Sequence, residues 1–247
     1  MEKYFSADHV LYVRPPTLRS CVAIDTPQGV LINVYTFHHE LSAHPLQSQL
    51  VELWGESWSK RGWSPVVLGM SHAEQCHEFH ELRTNEWLMR TDHLLPTSYT
   101  ECLWAKYCAM ATMADGGLMA DPDVINYGFT PEQQVNGVQP DQCCRDKFNM
   151  LQGTCPSLLW GSHYRWNMIV KLFLSVGRLR LAGPYCAAEG LTDQSILNDF
   201  YTKENIHQSN IVEMYGFGDW RTGALVHYHN GVVSGDRAAF IREAREV

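Results

Sequence analysis

Apolar residues in this chain recur with two periods, and the switches between them outline alternating strands and helices. The run "GVLINVYTF" (29–37) is almost continuously apolar and opens after Pro27 and Gly29, the pattern of a strand buried on both faces. After the polar "HHELSAHP", apolar positions return at Leu46, Leu50, Leu53, Trp54 and Trp58, a helical spacing, and Gly62 is placed to end that helix. "SPVVLG" (64–69) then reads as a second strand, completing a βαβ unit.

A second such unit follows. Ser98 and Glu101 have the spacing of a capping box, and Leu103, Tyr107, Met110 and Ala114 continue as one helical stripe. Asp115, Gly116 and Gly117 interrupt it, and the short strand "LMA" is expected to deliver Asp121 and Asp123 to its carboxyl end. Further on, 162–180 predicts a long helix and "TDQSILNDFY" a shorter one capped by Thr192. "GALVHYHNG" (223–231) predicts a late strand, and a C-terminal helix is expected to start near Ser234. The expected fold is a single α/β domain over 29–247, with 1–28 as an N-terminal extension and a mixed, mainly parallel sheet flanked by helices.

Composition narrows the function. A chain of 247 residues with 45% hydrophobic and 11% aromatic residues can bury a sizeable core. Its net charge of −8, with no long run of Lys or Arg, makes nucleic acid possible as a partner but not favoured. No stretch approaches the roughly 20 apolar residues of a membrane span. The start "MEKYFSADHV" lacks the apolar run of a secretory signal, and the eight cysteines are irregularly spaced, with Cys143 and Cys144 adjacent. Reduced thiols and a cytoplasmic location are the expectation.

The chemistry concentrates in "MADGGLMADPDVIN" (113–126). In an extended segment Asp121 and Asp123 point to the same side, and Pro122 favours extension of the residue before it. Two carboxylates there suit Mg²⁺ or Mn²⁺, which take their remaining ligands from phosphate and water. A plain turn is the bland alternative.

"AKYCAMATMADGGLMADPDVI" resembles the helix–strand–DxD segment of GT-A-fold glycosyltransferases, whose domains are Rossmann-like. Lys106 stands where arginine is more usual there. "NVYTF" is similar to their first strand, whose end contacts the donor base, which implies a donor-binding role for Tyr35 and Thr36. "LWGESWSKRGWSPVVL" looks like the following helix and strand, "TDQSILND" like their late D-Q-x-x-x-N segment, and "LVHYHNG" like the C-terminal strand that completes the metal shell.

The resemblance implies a metal-dependent glycosyltransferase using Mn²⁺ or Mg²⁺. Its substrates would be a nucleotide-sugar donor and a hydroxyl-bearing acceptor: a glycan, a small molecule or a modified nucleic-acid base. Asp123 would ligate the metal directly, and Asp121 would contact the donor ribose or reach the metal through water. His227 would be the histidine ligand, with His229 as second choice; Lys106 would contact the donor. Asp193 would be the general base if the reaction inverts configuration, or orient the sugar if it retains it. Asp219 and Trp220 in "GFGDW" are acceptor-site candidates.

Each residue also has a plainer use. Asp193 after Thr192 favours a helix dipole, His227 could be a core histidine, and Trp160, Trp166 and Trp220 could serve packing rather than stacking on sugars. Two other classes remain. One is a zinc-dependent hydrolase built on His38, His39, Glu40, His72, Cys76, His77 and His80, although "HEFH" is one residue short of H-E-x-x-H. The other is a non-catalytic protein of the same fold that binds a sugar nucleotide or glycan.

Overall fold

The structure, a computed structural model, describes residues 32–39, 47–86, 88–89, 97–133, 147–152, 155–182, 192–200, 206–208, 213–214, 224–228 and 237–246. The expected extension over 1–28 and the candidates His229, Asp219, Trp220 and Glu40 lie outside the described residues.

Strand β1 (Ile32–Phe37) leads to helix α1 (Gln47–Ser59) and strand β2 (Trp63–Leu68), the first βαβ unit. Gly62, at φ +86°, turns the chain between α1 and β2 in a conformation that side-chain-bearing residues resist. Two short helices, α2 (Met70–Ala73) and α3 (Phe79–Thr84), precede α4 (Thr97–Ala111). Strands β3 (Gly117–Ala120) and β4 (Val124–Asn126) flank the D-P-D segment, and a helical turn α5 (Pro131–Gln133) follows. The second half holds β5 (Phe148–Gln152), β6 (Cys155–Gly161), α6 (His163–Ala182), α7 (Asp193–Phe200), β7 (Ile206–Gln208), β8 (Glu213–Met214), β9 (Leu225–His227) and α8 (Arg237–Glu246).

The main sheet has six strands in the order β2-β1-β3-β6-β5-β7. β1 runs parallel to β2 and β3, and β5 parallel to β7, while β6 is antiparallel to both its neighbours. The sheet is therefore mixed and mainly parallel, with helices on both faces, as the alternating pattern implies. A smaller sheet, β4-β9-β8, carries the ends of the candidate site.

Period-two alternation divides the core. Tyr35, Phe37, Met119 and Leu159 face α4 and α6, whereas Val34, Leu118, Ala120 and Leu158 join α1, β9 and α8 on the other side. Trp58 stands edge-on to Trp63 at 5.4 Å, and Trp63 stacks on Phe129 at 5.5 Å. Their indole N–H groups donate to the carbonyls of Val124 (3.1 Å) and Phe129 (2.9 Å). The tryptophan-rich helix thus pins the strand that begins just after Asp123.

The two glycines before β3 have separate reasons. Gly116 has φ +66°, and a Cβ there would overlap the backbone of Gly161 and His163. Gly117 has φ +138° and lies against the Tyr35 ring, which a Cβ would meet at 2.8 Å.

Two sequence expectations shift. The α4 helix begins at Thr97, so Ser98 lies within it rather than at its cap. The stripe ends at Ala111, so Ala114 is outside the helix. Among the described residues no helix is long and apolar enough to cross a membrane. Cys76, Cys102, Cys108 and Cys155 are unbridged thiols.

Candidate active site

The D-P-D segment is a partly buried turn, not an extended strand. The Val124 N–H donates to the Asp121 carbonyl at 2.9 Å, closing a four-residue turn with Pro122 at its second position, where the fixed φ of proline is favoured. The Asp121 N–H donates to Ser157 of β6 at 2.7 Å, and the Tyr228 N–H donates to the Asp123 carbonyl at 2.9 Å. The turn is thereby tied to both sheets. Extension would have set the two carboxylates side by side; the turn sends them to different partners.

Asp121 faces Lys106. The Lys106 Nζ lies 3.4 Å from Asp121 Oδ1, 3.1 Å from Asp193 Oδ2 and 3.5 Å from the Pro156 carbonyl. Lys106 is placed by α4, Pro156 by β6, and Asp193 by the first residue of α7. The α7 start is fixed by a reciprocal cap: the Ser195 N–H donates to Thr192 Oγ1 at 3.2 Å, and the Thr192 N–H to Ser195 Oγ at 3.1 Å. Tyr107, next to Lys106, donates its hydroxyl to Asp193 Oδ2 at 2.8 Å.

Asp123 faces His227 and Arg237. Its Oδ1 is 3.4 Å from His227 Nε2, and its Oδ2 accepts from Arg237 at 2.6 Å. His227 is set by the antiparallel pairing that puts Val124 opposite it, and Arg237 by the first turn of α8, whose Ala238 and Ile241 enter the core. Cys155, at the start of β6, also contacts the His227 side chain.

Three acids and three bases therefore share one largely buried region, and four of them are shifted from their ordinary values. Burial alone would lower Lys106, but Asp121 and Asp193 outweigh it and hold the ammonium well above its ordinary range. Burial pushes Asp121 up, against the pull of Lys106. Burial also works to raise Asp123, yet His227 and Arg237 outweigh it and hold that carboxyl below the usual range. For His227, burial opposes the charge, but Asp123 prevails and raises the imidazole to about 10. Strongly shifted groups gathered in one place mark a candidate functional site.

The structure brings together Lys106, Asp121, Asp123, Asp193 and His227 from the sequence candidates. Tyr35 and Thr36 lie on β1 beside β3, the strand that leads into Asp121: Tyr35 is opposite Met119, packs on Gly117 and accepts from Asn33, and Thr36 is fully buried. Trp166 is buried among Tyr107 and Phe148, a packing role. Among the described residues no group of three or more His, Cys, Asp or Glu is arranged to hold a metal by itself. That includes the histidine-rich segment, where His72 Nδ1 accepts from the Gly69 N–H and His77 and His80 are exposed.

Tyr107 and Arg237 also belong to the site without being among the sequence candidates, and each carries a signal. Tyr107 falls in an apolar helical stripe, where a buried hydroxyl must find a partner. Arg237 opens a helix, where a cation opposes the dipole unless a carboxylate compensates.

No family model and no curated protein matches the sequence. One similar solved structure is a "crystal structure of a glycosyltransferase involved in the glycosylation of the major capsid of PBCV-1". The likeness has a TM-score of 0.44 and 11% identity, and it covers 88% of this chain and 100% of that one. It assigns no role to any residue here.

Proposed function

We propose that the protein is a metal-dependent glycosyltransferase that moves a sugar from a nucleoside-diphosphate sugar to an acceptor hydroxyl. The observation that carries this reading is the approach of Asp123 Oδ1, in the turn just before β4, to His227 Nε2 on the paired strand β9, 3.4 Å apart.

The donor chemistry suits the ion. One carboxylate oxygen and one imidazole nitrogen form part of a shell for Mn²⁺ or Mg²⁺, whose other ligands come from phosphate and water. Asp123 and His227 would hold it, and Asp121, whose side chain is 30% exposed, would reach it through water or meet the donor ribose. When bound, the ion would offset charge on the departing diphosphate. Arg237 fixes Asp123 Oδ2 and so leaves Oδ1 turned toward His227. Asp123 raises the His227 imidazole above its ordinary value, so an ion held there would compete with a proton for the ring nitrogen.

The acceptor class follows from chemistry only as far as a hydroxyl: a glycan, a small molecule or a modified nucleic-acid base. The net charge of −8 weighs against extended nucleic acid.

The test is thermal stability of the purified chain against UDP, GDP and CDP sugars, each with and without Mn²⁺. A ligand that binds the folded state raises the melting temperature by mass action. Stabilisation by one nucleotide class that requires Mn²⁺ and disappears in Asp123→Ala supports the reading. Stabilisation without donor hydrolysis points to a binding protein. Absence of any nucleotide response, with a zinc response retained in Asp123→Ala, overturns the transferase reading and favours a hydrolase using other histidines.

A further inference from the structure

Lys106 and Asp193 are both turned toward partners within the protein itself. An ammonium has three N–H donors, and those of Lys106 meet three acceptors: Asp193 Oδ2, Asp121 Oδ1 and the Pro156 carbonyl. Its side chain is 9% exposed. Asp193 is also largely occupied. Its Oδ2 accepts from both Tyr107 (2.8 Å) and Lys106 (3.1 Å), its Oδ1 accepts from the Gln194 N–H at 2.9 Å, and the side chain is 5% exposed. A general base must offer a carboxylate oxygen to the substrate hydroxyl at about 2.6–3.2 Å, directly or through one water. Asp193 instead turns inward.

Tyr107 holds this arrangement in place. Its ring is fully buried, against Trp166 at 6.1 Å and edge-on to Phe173 at 4.8 Å. Burial, and then Asp193, keep its hydroxyl protonated, so toward Asp193 it can only donate. Because Lys106 and Tyr107 are adjacent on α4, the two donors reach one carboxylate oxygen from a single rigid helix.

We propose that Tyr107 and Asp193 are positioning residues that set Lys106, and through it the Asp121 carboxylate, and that Asp193 is not the base of the reaction. The proposal rests on the glycosyl-transfer reading. The order of action is Tyr107 on Asp193, Asp193 on Lys106, and Lys106 on the turn that carries Asp121. Loss of the hydroxyl frees Asp193 to rotate, Lys106 follows it, and the turn loses its fixed counter-charge. The effect falls on donor binding and not on proton transfer.

The experiment uses the full chain and the nucleoside-diphosphate sugar that gives the largest Mn²⁺-dependent stabilisation, with donor hydrolysis followed across pH. Tyr107→Phe, Asp193→Asn and the double variant are compared with wild type. The expected result is a donor KM raised about tenfold in each single variant, a 1.4 kcal/mol effect. The kcat of Tyr107→Phe stays within about twofold, and the shape of its pH profile in Asp193→Asn is unchanged. The double variant is no worse than Asp193→Asn, because both act through one array.

A kcat reduced about 10²-fold or more in Asp193→Asn, with the acid limb of the profile lost and KM retained, overturns the proposal and makes Asp193 the base. If Asp193→Asn does not fold, Tyr107→Phe decides: an unchanged KM overturns the proposal. Failure of the wild-type chain to bind any of the donors is a different result, seen before any variant is made. It removes the glycosyl-transfer reading, and the proposal falls with it.

Discussion

His227 Nε2 lies 3.4 Å from Asp123 Oδ1, although 104 positions separate the two residues in the chain (227 − 123). The approach is built by backbone pairing, not by the side chains. Val124 is opposite His227 in the β4–β9 ladder, and the Tyr228 N–H caps the Asp123 carbonyl. Each partner is also set from a second direction, Asp123 by Arg237 and His227 by Cys155.

Removing His227 should therefore cost metal affinity before it costs the fold. In His227→Gln, the amide keeps a polar group beside Asp123 but supplies no imidazole. Mn²⁺ binding measured by calorimetry in the presence of the nucleotide should weaken about 10-fold or more, since losing even an outer-shell partner of a ligand costs that much. Unaltered Mn²⁺ affinity would place the ion elsewhere.

Lys106 neutralises two acids, so its loss should be severe and partly reversible. Lys106→Met leaves Asp193 and Asp121 without their cation and should destabilise the fold by about 3–5 kcal/mol. Adding Asp193→Asn removes one of the stranded charges, and the double variant should recover part of that loss in urea melts. A double variant less stable than Lys106→Met would show that the charges do not act on one another.

Gly116 should tolerate no side chain. In Gly116→Ala the new Cβ meets backbone of Gly161 and His163, which cannot rotate away, at a φ of +66°. A loss of about 2–4 kcal/mol is expected, combining strain and overlap. Gly117→Ala meets the Tyr35 ring instead, and a companion Tyr35→Leu should relieve part of its cost. Equal melting temperatures for Gly116→Ala and wild type would contradict the turn geometry.

Trp58 links the first βαβ unit to the turn that carries Asp121 and Asp123. Trp58→Phe leaves the Val124 carbonyl without its indole donor and opens space beside Trp63 and Phe129. About 2–3 kcal/mol of stability should be lost, which is roughly 4–12 °C for a chain of this size. Mn²⁺-dependent nucleotide binding should weaken as well, because Val124 follows Asp123 directly. A stability loss with intact nucleotide binding would confine Trp58 to the core.

Much of the architecture is written in local pattern. The apolar run before Phe37, the helical spacing through Trp58 and the Thr192 cap are each decided by neighbours a few residues away, where burial and capping act independently of the rest of the chain. The β5–β6 hairpin was not legible, because Pro156 and the bulge near Gln152 break the alternation that would mark a strand. Pro156 is tolerated at the start of β6, where its carbonyl serves Lys106.

The sequence by itself determined which groups could take part: Asp121 and Asp123 are marked by their spacing after a short strand, and Lys106, Asp193 and His227 by the resemblance to GT-A-fold glycosyltransferases. It could not determine how those groups pair, because ion pairing depends on distance through space and on burial, and both are properties of the assembled sheets. Tertiary structure alone decided that Asp121 turns to Lys106 while Asp123 turns to His227 and Arg237. It also decided that Tyr107 belongs to the site. The physical reason is that a four-residue turn, closed at 2.9 Å and tied to both sheets, removes the same-side placement that positions two apart have in an extended chain.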